Sequence, residues 1–300
     1  LTIYNLKNHQ GLIDHIMMNK KELNPAITAP NWLRKLFAFL EFISPILTSR
    51  IATLFFFTPI RFNTPKLEFE ISNKSLSKTI KFKNNRIKIY EWGNSKNAVL
   101  LVHGWSGRAS QVAHLNEALI EAGYKVYSFD APAHGNSNGR HTHMLEFAEL
   151  IFKMKKLYPE IESVIGHSIG GVASIYALTR GLNAEKCIII GSPVSTHWVL
   201  NSFCKQINVS QKVESLMKNH LEYKFQKQFD DISIDTMVTK INTKGMIIHC
   251  ENDLDAPVEH AQHIHKNWKN STLVLTQNLG HRKILKNKAV SNTIIDFLKT

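Results

Sequence analysis

The sequence predicts an α/β protein, in which a mostly parallel sheet is covered by helices on both faces. Three observations lead to this prediction. Short, continuously apolar segments recur along the chain, as expected for parallel strands that are buried on both sides. Segments with a helical spacing of apolar residues lie between them. Because the two kinds of segment alternate, the strands are connected by crossover helices and run parallel.

The predicted elements begin near residue 67. The segments "KLEFEIS" and "RIKIYEWG" alternate apolar and polar residues, which is typical of half-buried antiparallel strands. The buried strands are then expected at 98–103, 124–130, 161–167, 185–190, 245–250 and 271–276. The helices between and after them are expected at 108–121, 144–157, 169–180, 257–268 and 284–299.

Two regions depart from this alternation, and they define the predicted domains. Residues 1–66 form an N-terminal helical, apolar extension, and residues 67–300 form the α/β domain. Within that domain, residues 192–243 interrupt the strand spacing and contain a charged amphipathic segment. We expect a cap insertion of two or three helices over the strand ends, with one long crossover helix as the alternative.

The extension contains the most apolar stretch of the chain, at 32–62. Glu41, Pro45 and Arg50 interrupt it, so two amphipathic helices, roughly 32–43 and 46–57, fit better than one membrane span. A secretory signal is not expected, because the preceding segment is too long and polar. These helices either pack on the domain or make peripheral membrane contact, since basic residues flank their aromatic ones.

Composition excludes several classes of function. The net charge of +13 is spread along the chain, which favours solvated helix faces over a nucleic-acid site. Three widely spaced cysteines without a C-x-x-C motif indicate a reducing, cytoplasmic compartment and no disulfide framework. The histidines at 260, 263 and 265 lack the H-E-x-x-H spacing, so we do not expect a metal site there, and the chemistry inferred below requires neither a metal nor a cofactor.

The segment "GHSIGG" at 166–171 is the most informative motif. It is a G-x-S-x-G pattern between a predicted strand and a predicted helix, where a serine on a sharp turn needs small neighbours. Ser168 is therefore the candidate nucleophile, and the helix N-terminus behind it favours a developing negative charge. The alternative is a tight glycine turn with a structural serine.

Two further segments follow strands and point to the same edge of the sheet. "HGWSG" at 103–107 follows the first buried strand, and the N–H groups of Trp105 and Ile169 are candidate oxyanion donors. His281, beyond the last strand, is the candidate general base. The alternative is a surface histidine beside Arg282 and Lys283.

The motifs "VHGW", "FDAPAHGNS", "GHSIGG", "ENDLDAPVEHA" and "LGHRKIL" together resemble the α/β-hydrolase superfamily over about residues 67–300. The chain is most similar to bacterial serine hydrolases of the esterase and lipase type with a small helical cap. The resemblance implies that Ser168 is the nucleophile, His281 the base, and Trp105 and Ile169 the oxyanion donors.

Three carboxylates compete for the third catalytic position. Glu251 directly abuts the strand, Asp253 lies in the middle of the turn, and Asp255 lies near the helix start, where a carboxylate can cap free N–H groups. The D-x-x-x-P spacing of the family matches Asp253 and Pro257, so Asp253 is preferred and Asp255 is the alternative. Cys250 stands where relatives usually have glycine.

The motifs also suggest residues of the substrate pocket. His103, His167 and Trp198 are the candidates, with Leu200 and Phe203 as further walls from the insertion. The expected function is hydrolysis of a small-molecule carboxylic ester or thioester through an acyl-enzyme on Ser168. Alternatives are an amidase or aminopeptidase, an acyltransferase or perhydrolase on the same triad, and a binding protein that retained only the fold.

Overall fold

A nine-stranded sheet organises the protein, whose computed structural model describes residues 2–4 and 29–300. Its strands lie in the order β1-β9-β8-β7-β6-β4-β5-β3-β2. The six central strands, β9, β8, β7, β6, β4 and β5, are parallel. The strands β1, β2 and β3 pair antiparallel at the two edges of the sheet. The strands are β1 Thr2–Tyr4, β2 Leu76–Phe82, β3 Asn85–Trp92, β4 Ala98–Val102, β5 Lys125–Phe129, β6 Ile161–His167, β7 Lys186–Ile190, β8 Lys244–Cys250 and β9 Ser271–Thr276.

Helices connect and cover the strands, as the sequence predicts. They are α1 Asn31–Ile43, α2 Pro45–Phe56, α3 Lys66–Asn73, α4 Ala109–Val112, α5 Asn116–Glu121, α6 Met144–Leu157, α7 Ile169–Thr179, α8 Thr196–Ile207, α9 Gln211–Phe225, α10 Ile234–Met237, α11 Val258–Asn267, α12 Gly280–Lys283 and α13 Lys288–Lys299. Apolar clusters fill both sides of the sheet: Leu100 and Ile189 belong to one, Leu101 and Ile190 to the other. The predicted mostly parallel sheet with helices on both faces is thus confirmed.

The segment "KLEFEIS" is wrongly predicted as a strand, because it forms α3. Two apolar residues of this helix do not face the core. Leu67 and Phe69 are exposed, whereas Glu68 is buried. The carboxylate of Glu68 forms an ion pair with Arg108 Nε at 3.1 Å, which compensates its burial. The antiparallel partner of β3 is instead β2, in which only Phe82 is buried.

The two predicted N-terminal helices are present as α1 and α2, with a short turn between them. Ser44 caps α2 by accepting a hydrogen bond from Leu47 N–H, and Pro45 occupies its first position. Most of the chain before these helices lies outside the described residues. The division of the chain near residue 66 therefore stays a prediction.

The insertion contains two long helices, α8 and α9, rather than one crossover helix. They share an apolar cluster with α1 and α2, in which Phe37 packs with Leu200 and Met217. The rings of Phe56 and Phe203 meet edge-on with their centroids 5.1 Å apart. The N-terminal helices are consequently packed on the cap.

Candidate active site

Ser168 lies where β6 ends and α7 begins, with φ 53° and ψ −122°. L-residues rarely adopt this conformation, which costs about 1–3 kcal/mol and persists only when the surroundings hold it. The N–H of Ser168 donates to the carbonyl of Ile190 at 2.8 Å, so the end of β7 holds the turn in place. The half-buried serine side chain stands at the carboxyl edge of the sheet.

Two glycines of the motif are required by close backbone approach. A Cβ atom on Gly166 would lie 2.5 Å from the backbone of Gly170, and one on Gly170 would lie 2.4 Å from the carbonyl oxygen of Val102. Both distances are far below van der Waals contact. The pattern of small residues around Ser168 therefore has the steric cause that the sequence suggests.

Asp253 and His281 form a hydrogen-bonded pair. His281 Nδ1 donates to Asp253 Oδ2 at 2.8 Å, while Asp253 Oδ1 accepts from the N–H groups of Asp255 at 2.8 Å and Ala256 at 3.0 Å. Burial alone would raise the pKa of Asp253, but the hydrogen bond and charge of His281 outweigh it and lower that pKa below its ordinary value. The carboxylate is therefore ionised and fixed in orientation.

Two side chains anchor the backbone at the start of α12, which carries His281. His167 Nε2 donates to the carbonyl of His281 at 2.8 Å, and the two imidazole rings lie 4.7 Å apart. Burial, reinforced by the charge of His281, lowers the pKa of His167 to about 3, so this ring stays neutral. Cys250 Sγ accepts from the N–H of Gly280 at 3.0 Å. The backbone on both sides of the candidate base is thus fixed.

His281 and Ser168 approach one another across the end of β7. Ser168 N–H binds Ile190, and a Cβ atom on the next residue, Gly191, would lie 3.2 Å from His281 Nδ1. Among the described residues no hydrogen bond joins Ser168 Oγ to His281. Such bonds are often long without substrate and tighten in the reacting complex. Nδ1 of His281 binds Asp253, whereas its Nε2 has no hydrogen-bond partner among the described residues.

Two backbone N–H groups beside Ser168 have no acceptor among the described residues. Ile169 is the first residue of α7, so its N–H has no partner within the helix. The N–H of Trp105 meets no acceptor in the described part of the chain. The loop of Trp105 contacts the serine turn, since a Cβ atom on Gly104 would lie 3.0 Å from Ser168 Cβ. The geometry suits binding of an oxyanion.

Two buried histidines hold the loop of Trp105. His103 Nδ1 lies 2.7 Å from the carbonyl of Gly104 and donates to it, and Nε2 accepts from Ala131 N–H at 3.0 Å. His134 acts in the same way, donating to Pro132 O and accepting from Ser106 N–H. Burial lowers the pKa of His103 to about 4 and that of His134 well below its ordinary value. Both rings are therefore neutral acceptors.

A segment before α3, residues 58–65, crosses the same loop, and we call it the strap. Ile60 N–H donates to Ser106 Oγ at 3.0 Å. Arg61 donates to the carbonyls of Gly135 and Ser137, and Arg108 Nη1 donates to Phe62 O at 3.0 Å. The strap thus braces the loop that carries Trp105. Sequence reasoning missed it, because backbone acceptors leave no pattern in the sequence.

Several predicted residues have other surroundings than expected. The prediction that His103 lines the pocket is wrong, because this side chain is fully buried behind the loop of Trp105. His167 is also buried and contacts the His281 backbone instead of lining a pocket. The ring of Trp198 packs edge-on against His260, with centroids 4.7 Å apart, so its pocket role stays a prediction.

The other two acidic candidates are not hydrogen-bonded to His281. Glu251 is exposed and accepts from Gln277 Nε2 at 2.8 Å. The capping role expected for Asp255 is wrong, because α11 begins beyond Pro257 and has no side-chain cap. Carboxylate oxygens of Asp255 and Asp253 and a ring nitrogen of His281 lie within 4.8 Å of one another. Asp255 is therefore a neighbour of the pair.

Comparisons with known proteins agree with this architecture. Residues 93–274 match the family described as "Serine aminopeptidase, S33". A monoacylglycerol lipase of Mycolicibacterium smegmatis is 25% identical over 111 residues, which cover 34% of this chain and only 40% of that protein.

Solved structures show the same fold. An esterase of Pyrococcus furiosus superposes with a TM-score of 0.61 at 22% identity, over 81% of this chain and 98% of that one. An esterase of Exiguobacterium antarcticum gives 0.59 at 18% identity, over 75% of this chain and 100% of that one. Since the family match spans more than half of its residues, the chain belongs to the serine aminopeptidase S33 family of α/β-hydrolases.

Proposed function

We propose that this protein is a serine hydrolase that cleaves a carboxylic ester or thioester, with Ser168 as nucleophile, His281 as base and Asp253 as acid. The observation that carries the proposal is the short hydrogen bond between Asp253 and His281 beside a serine with strained backbone. A structural turn has no need of either feature, whereas a nucleophile elbow needs both.

In the first half of the reaction, Ser168 Oγ attacks the carbonyl carbon and its proton passes to His281 Nε2. The N–H groups of Trp105 and Ile169 bind the oxyanion, each contributing about 2.7–4 kcal/mol to lowering the barrier. Collapse of the tetrahedral intermediate breaks the bond to the alcohol or thiol, which leaves with the proton from His281.

In the second half, His281 takes a proton from water as the water attacks the acyl carbon. The acyl group leaves as a carboxylic acid, and the proton returns from His281 to Ser168 Oγ. Asp253 holds the imidazole with its proton on Nδ1 throughout, because its other oxygen is fixed by two backbone N–H groups.

The apolar cluster of the cap favours acyl esters over peptides as substrates. Aromatic side chains of α2, α8 and α9 and of Phe57, which follows α2, belong to this cluster, and the rings of Phe57 and Phe225 have their centroids 5.9 Å apart. The names of relatives, which include a monoacylglycerol lipase and esterases, point the same way. An aminopeptidase, suggested by the family description, is the alternative that the substrate panel must separate.

A fluorophosphonate probe tests the nucleophile. We expect the wild type to be labelled and Ser168→Ala to be unlabelled with an unchanged melting temperature. Ser106→Ala is the matched control, because this second half-buried serine lies in the neighbouring loop and should not carry the label. Labelling of Ser168→Ala at the wild-type rate would refute the assignment.

A substrate panel tests the reaction. Rates on p-nitrophenyl esters of increasing acyl length, on the corresponding acyl-thioesters and on an amino-acid p-nitroanilide separate the three substrate classes. We expect ester or thioester turnover that Ser168→Ala abolishes. Turnover confined to the anilide would contradict the ester proposal and support the peptidase.

A further inference from the structure

The exposed apolar side chains of the described residues are concentrated in one segment. Eleven of the eighteen large exposed hydrophobic residues lie between residues 32 and 62, and only four lie beyond residue 76. Phe42 is 88% exposed and Trp32 67% exposed. Single exposed apolar residues are ordinary, but a concentration of this kind marks an interaction surface.

Helix α1 is apolar on two separate sides. Leu33 and Phe37 face the cap cluster. Trp32, Leu36, Phe39 and Ile43 follow at intervals of four, three and four residues, so they form a second stripe along the helix, and all four are exposed. Packing on the cap explains the first side. It leaves the second without a partner among the described residues.

The second stripe continues around the turn into α2. Phe42 and Ile43 end α1, Ile46 and Leu47 begin α2, and all four side chains are exposed. Leu54, two helical turns after Leu47, extends the exposed surface along α2. We call these exposed residues of α1 and α2 the apolar hairpin face. It is continuous because its central members are neighbours in the chain.

The exposed charges of this part of the chain are basic. Between residues 31 and 67 the exposed charged residues are Lys35, Arg50, Arg61 and Lys66. The acidic Glu41 is only half-exposed and accepts hydrogen bonds from Ser210 of the cap. A second copy of the chain would bring like charges together across the face, which disfavours a symmetric dimer. An anionic lipid surface complements both the apolar residues and the charges.

We propose that the apolar hairpin face docks on the interface of an anionic phospholipid bilayer. The helices lie in the plane of the interface with aromatic side chains in the acyl boundary and Lys35 and Arg50 at the headgroups. In the described residues no helix is long and apolar enough to cross a bilayer. The contact is therefore peripheral, and it is independent of the chemistry proposed for Ser168.

Docking here places the strap near the lipid as well. Ile60 and Phe62 of the strap, which follows α2 in the chain, are exposed, while its backbone binds Ser106 and Arg108 in the loop of Trp105. Exposed apolar residues therefore extend along the chain from α2 to the segment that braces this loop. A lipophilic ester leaving the bilayer would meet the site at this loop.

Vesicle flotation of the full chain tests the proposal. We expect the wild type to float with phosphatidylcholine vesicles that contain phosphatidylglycerol, and less with phosphatidylcholine alone. Phe39→Ser with Phe42→Ser should lower partitioning at least about 10-fold in both kinds of vesicle, because two inserted aromatic rings are lost. Tyr223→Ser, at a 77% exposed aromatic residue outside the face, is the matched control and should float like the wild type.

A second pair of variants tests the charges. Lys35→Gln with Arg50→Gln should lower partitioning about 10-fold on anionic vesicles and hardly at all on neutral ones. Lys266→Gln with Lys269→Gln, two exposed lysines in and after α11, is the matched control. Equal flotation of all variants would overturn the proposal.

Two further readouts distinguish the outcomes. Ser168→Ala should float like the wild type, and Phe39→Ser with Phe42→Ser should keep wild-type hydrolysis of a short water-soluble ester. Lack of flotation combined with a dimer that dissociates in the phenylalanine variant would overturn the lipid partner in favour of a second copy. Flotation without any ester turnover would leave the docking proposal standing and refute the proposed hydrolase activity.

Discussion

Asparagine in place of Asp253 is expected to lower turnover about 10⁴-fold while leaving the fold intact. The cause lies in the two oxygens of the carboxylate. Oδ1 accepts from the N–H groups of Asp255 and Ala256, and Oδ2 accepts from His281. An asparagine keeps the first two bonds only when its carbonyl oxygen replaces Oδ1. Its NH₂ group then faces His281 Nδ1.

Two donors cannot face each other, so the imidazole must accept at Nδ1 and carry its proton on Nε2. Nε2 is the atom that has to take the proton of Ser168, and it is then blocked. If the amide flips, its oxygen faces His281, but its NH₂ group then faces the N–H groups of Asp255 and Ala256, which lose their acceptor. This arrangement costs about 2 kcal/mol or more, so at most about one molecule in thirty adopts it. A loss of 10⁴-fold corresponds to about 5.5 kcal/mol in the barrier.

The assay is the turnover number on p-nitrophenyl butyrate, together with the fluorophosphonate labelling rate and the melting temperature. Asp255→Asn is the matched control, because that carboxylate lies close to the pair but accepts no hydrogen bond among the described residues. We expect it to retain turnover within about tenfold. The reasoning is refuted if Asp255→Asn loses more activity than Asp253→Asn, or if Asp253→Asn stays within about 30-fold of the wild type.

Three further predictions concern stability. Glu68→Ala should lower the free energy of unfolding, measured by urea denaturation, by about 3 kcal/mol, because it leaves the partly buried Arg108 without its ion partner. Glu70→Ala, on the exposed side of α3, should lower it only slightly, and equal losses for the two variants would contradict the role of the pair. Gly166→Ala should cost about 3 kcal/mol or more and abolish probe labelling, since its Cβ would lie 2.5 Å from backbone, and a labelled, stable variant would disprove this close packing. Burial lowers the pKa of His103 to about 4, so between pH 6.5 and 4 the unfolded chain binds a proton at this histidine that the folded chain does not. The contribution of His103 to the free energy of unfolding should therefore fall by about 1.4 kcal/mol for each unit by which the pH decreases in this range. A free energy of unfolding that does not change with pH there would contradict this prediction.

The sheet was largely predictable, because parallel strands buried on both faces leave continuous apolar segments. The segments predicted at 161–167 and 271–276 agree with β6 and β9 to the residue. β2 was missed, since most of its residues are exposed and only Phe82 is buried. The alternation of apolar and polar residues in α3 is also typical of a half-buried strand, which explains the wrong prediction. In the structure the buried residue is Glu68, held by its ion pair with Arg108, whereas Leu67 is exposed.

The candidate site was predictable where local backbone demands particular residues. The glycines around Ser168 and the turn before Pro257 are of this kind. The roles of His103 and His167 were not predictable, because a histidine next to a motif looks the same whether it faces a pocket or supports the loop from behind. The strap was invisible for a related reason: its contacts join a backbone N–H or an arginine to carbonyls far along the chain.

The strap has a consequence for the order of assembly. Arg61 binds carbonyls 74 and 76 residues later in the chain, and Glu41 binds Ser210, which is 169 residues later. Contacts of such high sequence separation close large loops and form slowly. During synthesis the apolar α1 and α2 emerge long before α9, the helix on which α2 packs. The apolar residues of α1 and α2 are therefore exposed on the nascent chain before α9 has been synthesised. We expect folding to depend on a chaperone or on an early encounter with a lipid surface.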